Sequence, residues 1–490
     1  MFAFAGAHLS TKGPGRDVIV SEREWWGVGG NKEQGESMRM PSNRDNKGHF
    51  TRIRAVGALF LATIAIFGIA TAELTPGLGR EAGPAEALTR EKKSAIVDRV
   101  CAEFRAKYVF PDVAERMAAF VESKLRKGEY DPIVDVGGFT SQVTEDLRSI
   151  SHDKHIKVLP GKHLPLPDDG EALRREHFGF DTVEVLTGNI GYLEFFQFYS
   201  VKDAGPTAIA ALNFLSGCDA LIIDLRGNGG GYPALRQLMC SYFFDDPTCL
   251  IEFRGRNGKV VQDWTLPYVP GPKMVKIPVY ILVSRLTFSC AEDFAFAMQC
   301  RGRATIIGEA TGGGAHDCEM DYFPEEAVSI QVPFNEAVDP VTKKTWEGVG
   351  VQPDIKVPSG QALQTAVVEA TKTLLKAAPA GERKFLLEWV RDDYAVQLKP
   401  VELDPQVAAE YVGTYGPSAV SFEYGQLYYS TGTAKRRLIP VGVDDFKPAP
   451  ATRTDFSKLR IRFVRDAAGK IVELSAHDCD GGTYPPKKRT

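Results

Sequence analysis

Apolar residues recur at helical spacing between Leu88 and about Ile150. They lie three or four positions apart, which is typical of the buried face of a helix. Pro111 interrupts the first such stretch, and a third stretch leads to the sequence SHDKH at 151–155. The pattern therefore predicts a small helical domain over 88–160. The positions that define its first two helices are Ile96, Val97, Val100, Phe104 and Tyr108, and then Val113, Met117, Phe120, Val121 and Leu125.

Short runs of β-branched and aliphatic residues replace this pattern over 161–378. Runs at 221–224, 279–283 and 305–307 have the length of strands, and 291–299 returns to helical spacing. Strands that alternate with helices predict an α/β domain around a largely buried sheet. A further helix over 361–377 ends this predicted core.

The C-terminal part of the chain changes pattern again. A helical segment at 382–396 lies within a predicted linker over 379–405. Alternating apolar residues with turns at Tyr424-Gly425 and at 466–469 then predict hairpins. We expect a small antiparallel, β-barrel-like domain over 406–490, which either packs against the core or binds a ligand inside the barrel.

The sequence of the first 87 residues is typical of a targeting segment rather than of a folded domain. An uncharged apolar run at 55–72 follows Arg52 and Arg54 and ends in Ala-Thr-Ala, which is typical of a secretory signal peptide. We predict a disordered upstream extension over 1–37, a signal peptide over 38–72 and a linker over 73–87. The bulk of the chain is then exported, to the periplasm or the extracellular space. The run is also close to the length that spans a bilayer, so an uncleaved membrane tether through 55–72 is the alternative.

Composition narrows the possible partners. The chain has 490 residues, 43% of them hydrophobic and 25% charged, with a net charge of −4. That balance lacks the basic excess that neutralises nucleic-acid phosphates, so we expect no nucleic-acid partner. The eight cysteines show no CxxC spacing, and we predict neither a metal site nor a cofactor. An oxidising compartment would allow disulfides, with Cys240–Cys249 and Cys300–Cys318 the nearest candidate pairs.

A serine follows the predicted strand at 279–283 and precedes the predicted helix at 291–299. Free N–H groups and the helix dipole at such a turn can stabilise an oxyanion, which suits Ser289 as a nucleophile. The same serine with Glu292 three residues later also fits a capping box, a purely structural motif. The local sequence leaves both interpretations open.

A glycine-rich segment, DLRGNGGG at 224–231, follows the strand at 221–224. Its glycines allow main-chain N–H groups to approach an anionic group closely, as an oxyanion hole requires. A nucleotide-phosphate loop fits poorly, because the Lys-Ser/Thr of a P-loop is missing and Tyr232 replaces the last glycine of GxGxxG. A structural turn remains the alternative.

An activated serine needs a proton acceptor, usually a histidine oriented by a carboxylate. His155 ends the helical domain and enters an expected strand at 155–158, which would hold its ring firmly. His152 and His316 are rivals on the residues alone. Glu347, beside the glycines of WEGVGV at 346–351, is a candidate carboxylate, although a surface glutamate in a turn would look the same.

Together these segments resemble the tail-specific (carboxy-terminal processing) serine protease family. The likeness is stronger to its branch that contains the tricorn core protease and the modules of interphotoreceptor retinoid-binding protein. It extends from about Leu88 to Leu375 and implies a ClpP/crotonase-like core of β-β-α units. The motifs that carry it are YVFP at 108–111, DKH at 153–155, GYL at 191–193, DLRGNGGG, TFSCAE at 287–292, GEATGGGAH at 308–316 and WEGVGVQPD at 346–354.

The resemblance implies a role for individual residues. Ser289 matches the nucleophile, and the N–H groups of Gly229 or Gly230 with that of Cys290 match the oxyanion hole. Gly314 stands where the better-known processing proteases place a lysine base, so a Ser-Lys dyad is excluded there. The tricorn-like branch uses histidine and glutamate, which points to His155 as base and Glu347 as its carboxylate. His316 is the main rival for the base.

These residues predict a serine peptidase that acts on a peptide or protein through an acyl-enzyme. Only about 35 residues separate His155 from Gly191, too few for the PDZ domain with which processing proteases capture carboxyl termini. A non-catalytic module for a lipid or retinoid-like ligand is the second hypothesis, since retinoid-binding modules share the scaffold. An esterase is the third, because ester and amide attack require the same groups.

Overall fold

The helical segment predicted at the start of the described chain is present. The structure, a computed structural model, describes residues 88–163, 170–449 and 458–490. Pro111 is the first residue of the second helix, where a missing N–H breaks no helical hydrogen bond. The elements are α1 (Arg90–Lys107), α2 (Pro111–Arg126), α3 (Val136–Ser151) and β1 (Lys157–Pro160).

Strands and helices alternate through the predicted core, which confirms the α/β class. The elements in chain order are α4 (Gly170–Arg175), β2 (Phe180–Leu186), β3 (Ile190–Phe195), α5 (Val201–Leu215), β4 (Ala220–Asp224), α6 (Pro233–Cys240), β5 (Cys249–Gly255), β6 (Val260–Trp264), β7 (Val279–Val283), α7 (Cys290–Cys300), β8 (Ala304–Gly308), β9 (His316–Phe323), β10 (Val328–Val338), β11 (Ile355–Lys356) and α8 (Ala362–Leu375). The succession β2-β3-α5 is one β-β-α unit of the kind that the family resemblance implies.

The remaining elements form the C-terminal part. They are α9 (Glu382–Leu398), α10 (Pro405–Tyr411), β12 (Gly413–Tyr415), β13 (Ser418–Glu423), β14 (Gln426–Thr431), β15 (Ala434–Gly442), β16 (Asp445–Pro448), β17 (Leu459–Arg465), β18 (Ile471–Asp478) and β19 (Thr483–Lys488). Both predicted hairpins are present, as β13-β14 and β17-β18.

The central sheet has six strands in the order β11-β8-β7-β4-β3-β2. All its neighbours pair in parallel except β2 and β3. Every residue of β4 and β7 is buried, because helices cover both faces of the sheet. Leu221 and Ile223 point to the side of α5, α6 and α7, whereas Ala220 and Ile222 point to the side of α8 and α9.

A second sheet of five strands carries the N-terminal helices. Its order is β1-β10-β5-β6, and β9 pairs with β10. Val328, Ile330 and Val332 of β10 share one apolar cluster with Ile96 and Phe104 of α1. The helices therefore cover this sheet rather than standing apart from it, and all described residues belong to one compact unit.

The C-terminal strands β12 to β19 form one antiparallel sheet, and a bridge between Tyr415 and Arg489 brings its first strand to its last. Apolar side chains, among them Phe446 and Phe463, fill the interior of this near-barrel. Its outer wall packs on α9, where the buried Lys447 ammonium lies 2.8 Å from the Asp393 carboxylate. The packing alternative of the sequence analysis thus describes this part of the molecule.

Several sequence-based predictions lie outside the described residues: the extension 1–37, the signal peptide 38–72 with its possible membrane tether, and the linker 73–87. In the part of the chain that the structure describes, no helix combines the length and the apolar character needed to cross a bilayer. All eight cysteines are free, so neither candidate disulfide is formed.

Candidate active site

Ser289 occupies the turn between β7 and α7, as the sequence predicts. Its backbone has φ 54° and ψ −123°, in the left-handed half of conformational space that serine rarely adopts. Such strain persists only where the surrounding structure enforces it, and it is typical of functional sites. A sharp strand-to-helix turn of this kind raises a serine hydroxyl clear of the sheet, as the nucleophile turn of α/β-hydrolases does.

The turn is held by the glycine-rich loop after β4. Because β4 and β7 are adjacent parallel strands, both loops leave the same edge of the sheet. The Phe288 N–H donates to the carbonyl of Asn228 at 3.1 Å, and the Thr287 hydroxyl donates to the carbonyl of Leu225 at 2.7 Å. These two hydrogen bonds therefore hold the segments TFSCAE and DLRGNGGG together.

His155 meets Ser289 although 134 residues separate them: Nε2 of the imidazole lies 3.0 Å from the serine Oγ. The histidine is not on a strand as expected, because β1 begins only at Lys157. It lies in the turn after α3, where its main-chain N–H donates to Asp153 Oδ1 at 2.9 Å. The Phe288 ring packs on the imidazole with ring centres 4.7 Å apart. Local hydrogen bonding and stacking, rather than a sheet, hold the ring.

Gly314 lies directly against this imidazole. A Cβ atom added there would be 2.6 Å from His155 Cε1 and would also collide with the Phe288 ring. The rings of Phe288 and His155 together thus fill the space that any longer side chain at 314 would enter, including the lysine of the processing proteases. Glycine at this position and histidine at 155 are sterically complementary.

The Glu292 carboxylate is fully buried and joins the serine turn to the loop at 308–316. It accepts the N–H of Ser289 at 2.8 Å, those of Gly313 and Gly314 at 2.6 and 2.8 Å, and the Thr311 hydroxyl at 2.5 Å. The Ser289 N–H contact is one half of the capping box considered above. Glu292 therefore has a structural role, while the hydroxyl of Ser289 remains directed to His155.

The N–H groups predicted to bind the oxyanion differ in whether they already have an acceptor in the protein. The Gly229 N–H donates to the carbonyl of Phe196 at 3.2 Å, and the Gly230 N–H donates to Asn228 Oδ1 at 2.9 Å. The N–H groups of Cys290 and Gly231 have no acceptor within the described ranges, and both residues line the cavity above Ser289. Of the predicted oxyanion donors, the N–H of Cys290 is thus available, and the N–H of Gly231 is a further one. Sequence spacing missed Gly231 because it cannot show where an N–H points.

Glu347 is not beside His155, and this corrects the sequence-based pairing. Its Oε2 accepts the N–H of Ala315 at 2.5 Å and lies 3.8 Å from Nδ1 of His316. The carboxylate next to His155 is instead Asp153, whose Oδ1 is 3.9 Å from the His155 Nδ1. The other Asp153 oxygen lies 2.6 Å from Nδ1 of His316. Glu347 is therefore separated from His155 by a second imidazole and a second carboxylate.

The two rival bases do not contact the serine. His152 is exposed at the C-terminal cap of α3, with φ 60°. His316 is buried and directs Nδ1 at Asp153 rather than at Ser289. Of the three histidines considered, His155 is the one that the structure brings to the nucleophile.

Burial sets the protonation of these groups. Burial lowers the pKa of His155 to about 4, against the opposing charge of Asp153. Burial alone would raise the pKa of Asp153, but the hydrogen bond with His316 holds it below its ordinary value. For His316 the same bond outweighs burial and raises the pKa. Burial raises the pKa of Glu347 to about 7. At neutral pH His155 is thus an uncharged base and Asp153 an anion.

One ligand atom from each of Asp153, His316 and Glu347 lies within 4.8 Å of the others, a grouping that could hold a metal ion. The 2.6 Å separation between His316 and Asp153 is that of a hydrogen bond. Two ligands of one tetrahedral zinc ion, each about 2.0–2.2 Å from the metal, lie roughly 3.3 Å apart. A shared proton therefore fits these three residues better than a metal ion.

A cavity of about 550 Å³ opens over Ser289 and His155. Its volume is in the usual range for a binding site. The walls combine apolar and charged side chains, namely Phe253, Met320, Ala337 and Trp346 with Lys157, Asp317 and Glu319. Strand β9 contributes several of these, so the second sheet forms one wall and the central sheet carries the nucleophile.

Sequence reasoning missed Asp153 as a site residue. The residue was visible in the motif DKH, and an aspartate two residues before a histidine often accepts that residue's main-chain N–H. Its bond to His316 could not be found in the same way, because the two residues are 163 positions apart.

Two segments of the chain match models of known protein families. Residues 189–357 match the model of peptidase family S41. Residues 87–174 match the model of the N-terminal domain of Peptidase S41 in eukaryotic IRBP. Residues 87–174 and 189–357 thus both match models of peptidase family S41.

Curated relatives include the carboxyl-terminal-processing protease of Picosynechococcus sp., 29% identical over 36% of this chain and 42% of that protein. The carboxy-terminal processing protease CtpA of Bacillus subtilis is 26% identical over 50% of this chain and 52% of that protein. This chain therefore spans about half or less of the length of these relatives.

Solved structures that align with part of this chain include a photosystem II D1 C-terminal processing protease, with a TM-score of 0.40 and 15% identity over 55% of this chain and 93% of that one. The tricorn protease has a TM-score of 0.38 and 14% identity over 55% of this chain and 34% of that one.

Proposed function

We propose that this protein is an exported serine peptidase that hydrolyses peptide bonds through an acyl-enzyme on Ser289. The observation that carries the proposal is the 3.0 Å approach of His155 Nε2 to Ser289 Oγ at a strained strand-to-helix turn. The matches to models of peptidase family S41 and the cavity over these two atoms support it. Export rests on the signal-like sequence at 55–72 alone.

In this mechanism the Ser289 hydroxyl attacks the peptide carbonyl while His155 takes its proton. The oxyanion of the tetrahedral intermediate is bound by the N–H of Cys290 together with the glycine loop, where Gly231 offers an unpaired N–H. His155 then protonates the leaving amine, and a water molecule releases the acyl group by the reverse sequence. The steps need no cofactor.

The substrate is a peptide or protein segment, and we propose no preference for carboxyl termini. Carboxyl-terminal processing is the activity for which the two relatives are named. The stretch between His155 and Gly191 is too short to supply the PDZ domain that captures such termini. Any selectivity then depends on the walls of the cavity.

The decisive experiment compares wild type with Ser289→Ala on a peptide library, with mass-spectrometric detection of cleaved bonds. We expect the variant to lose at least about a thousandfold in kcat, since the residual rate comes only from the oxyanion donors and substrate binding. Ser216→Ala, at the half-buried C-terminal cap of α5 and outside the cavity lining, is the matched control and should retain full activity. Equal hydrolysis by wild type and Ser289→Ala would remove the proposal.

The two other hypotheses give different outcomes in the same assays. An esterase would turn over a matched ester but not the corresponding amide. A non-catalytic module would hydrolyse neither and would release a stoichiometric lipid on extraction with organic solvent.

A further inference from the structure

Asp153 lies between two imidazoles and is almost fully buried, with 1% of its surface exposed. One carboxylate oxygen accepts the main-chain N–H of His155 at 2.9 Å and faces the His155 Nδ1 at 3.9 Å. The other oxygen is 2.6 Å from Nδ1 of His316 and accepts the Tyr108 hydroxyl at 3.3 Å. A carboxylate with this set of partners is fixed in position and stays ionised.

The His155 Nδ1 has no hydrogen-bond partner among the residues that the structure describes. A general base that takes up a proton on Nε2 carries a positive charge that is shared with Nδ1–H, and a nearby anion stabilises it. Asp153 is the carboxylate that approaches this nitrogen. Glu347 approaches His316 instead.

We propose that Asp153 is the carboxylate that supports His155 during catalysis, that His316 positions Asp153, and that Glu347 acts only through His316. This inference rests on the proposed function of Ser289 and His155. It replaces the Glu347 pairing that the family resemblance implies with a chain of four side chains, Glu347–His316–Asp153–His155, of which the last three are buried.

The charges around His155 explain why it needs this support. Arg148 of α3, Lys157 of β1 and His316 of β9 all disfavour a positive charge on the ring, and so does burial. Asp153 is the opposing group. A shift of about 1 Å would bring the 3.9 Å contact to hydrogen-bond length, which is a common tightening between resting and substrate-bound enzymes.

His316 and Tyr108 are positioning residues in this arrangement, since neither reaches the reacting atoms. His316 donates from Nδ1 and keeps Asp153 from rotating away from His155. Glu347, at 3.8 Å from the same nitrogen, affects the charge of His316 more than that of His155. Truncation of His316, which contacts Asp153, should therefore lower kcat more than truncation of Glu347, which reaches Asp153 only through His316.

The test measures kcat and KM of full-length variants on a peptide that the wild type cleaves. Asp153→Asn should lower kcat by about 10³- to 10⁴-fold with KM within threefold, as expected when a base loses its supporting carboxylate. His316→Ala should lose about a hundredfold, and His316→Asn, which keeps a donor near the Nδ1 position, should recover about tenfold of that. Glu347→Gln should lose less than tenfold.

A second measurement does not depend on activity. The ¹⁵N shifts of His155 at pH 7 report its tautomer: we expect Nδ1–H in wild type and Glu347→Gln, and a shift towards Nε2–H in Asp153→Asn. The measurement requires folded protein, so the same spectra show when a variant has failed to fold. His316→Asn extends the test if Asp153→Asn does not fold.

Two results would overturn the inference. One is a loss in Glu347→Gln that equals that in Asp153→Asn, and the other is an unchanged His155 tautomer in Asp153→Asn. If wild type cleaved no peptide at all, the proposed function would fall, whereas the tautomer measurement would still decide which carboxylate faces His155.

Discussion

The imidazole of His155 occupies the space next to Gly314, with Cε1 only 2.6 Å from where a Cβ atom of residue 314 would lie. We therefore expect Gly314→Ala to push the ring away from Ser289 and to lower kcat by about a hundredfold, the usual effect of a displacement near 1 Å. Steady-state kinetics on a cleaved peptide measure this.

Gly360→Ala is the matched control for that variant, because a Cβ atom there meets no other atom within 4 Å. It should keep wild-type kcat. A Gly314→Ala enzyme within threefold of wild type would mean that the ring is free to move without loss.

Gly230 supports the serine turn by its lack of a side chain. It has φ 100°, and an added Cβ atom would lie 2.7 Å from the Phe288 carbonyl oxygen and 2.9 Å from the Cys290 nitrogen. Gly230→Ala should displace the oxyanion donors and reduce kcat by about 10²- to 10³-fold, with little change in KM. Gly217→Ala, at an open position in another loop, should match wild type. Normal kcat in Gly230→Ala would contradict this account of the loop.

The low pKa of His155, about 4, determines the acid side of the pH profile. The ring acts as a base only when neutral, so activity is lost as the pH falls through the pKa. We expect kcat/KM to reach half of its plateau near pH 4 rather than near 6.5, because kcat/KM reports the free enzyme. Initial rates between pH 3.5 and 8 on an activated ester measure the profile. A midpoint between 6 and 7 would show a solvated imidazole instead.

Beside the cavity, a buried arginine is paired with two carboxylates, and we expect this group to contribute to the free energy of unfolding. Arg236 is fully buried, and its Nη2 lies 2.7 Å from Asp263 and 3.0 Å from Asp293. Arg236→Met leaves two carboxylates without their cation and should lower the free energy of unfolding by about 3–5 kcal/mol. Arg175→Met removes an exposed pair with Glu171 and should cost under about 1 kcal/mol. Urea unfolding monitored by fluorescence measures both.

The Arg236→Met loss should depend on pH. Burial raises the pKa of Asp293 to about 6 in wild type, against the charge of Arg236. Without Arg236 this pKa rises further. A raised carboxyl pKa means that the folded state binds more protons than the unfolded state, so stability falls as pH increases. The difference from wild type should therefore be larger at pH 8 than at pH 5. A difference independent of pH would assign the loss to packing alone.

Much of this arrangement could be predicted from the chain. The strand at 279–283 and the helix after Ser289 follow from a continuous apolar run and a change of periodicity. Local patterns of this kind depend on neighbouring residues, which the sequence displays directly. The expected strand at 155–158 was wrong at its first two residues, since the aspartate at 153 turns the backbone before β1 begins.

The partners of the base could not be predicted in this way. Glu347 was assigned to His155 by resemblance, whereas its contacts are with Ala315 and His316. Which carboxylate reaches which imidazole depends on how distant segments meet in the fold, as Asp153 and His316 do across 163 positions, and no spacing along the chain records that meeting. The Gly229 N–H shows the same limit, because its acceptor, the carbonyl of Phe196, comes from another segment.

His155 and Ser289 belong to different sheets: the histidine precedes a strand of the five-stranded sheet, and the serine follows a strand of the six-stranded one. A chain that has formed only one of them lacks either the nucleophile or the base. Newly made or partly unfolded copies would thus be inert toward their neighbours. Hydrolysis would begin only in molecules whose two layers have docked, which protects the protein from self-digestion while it matures.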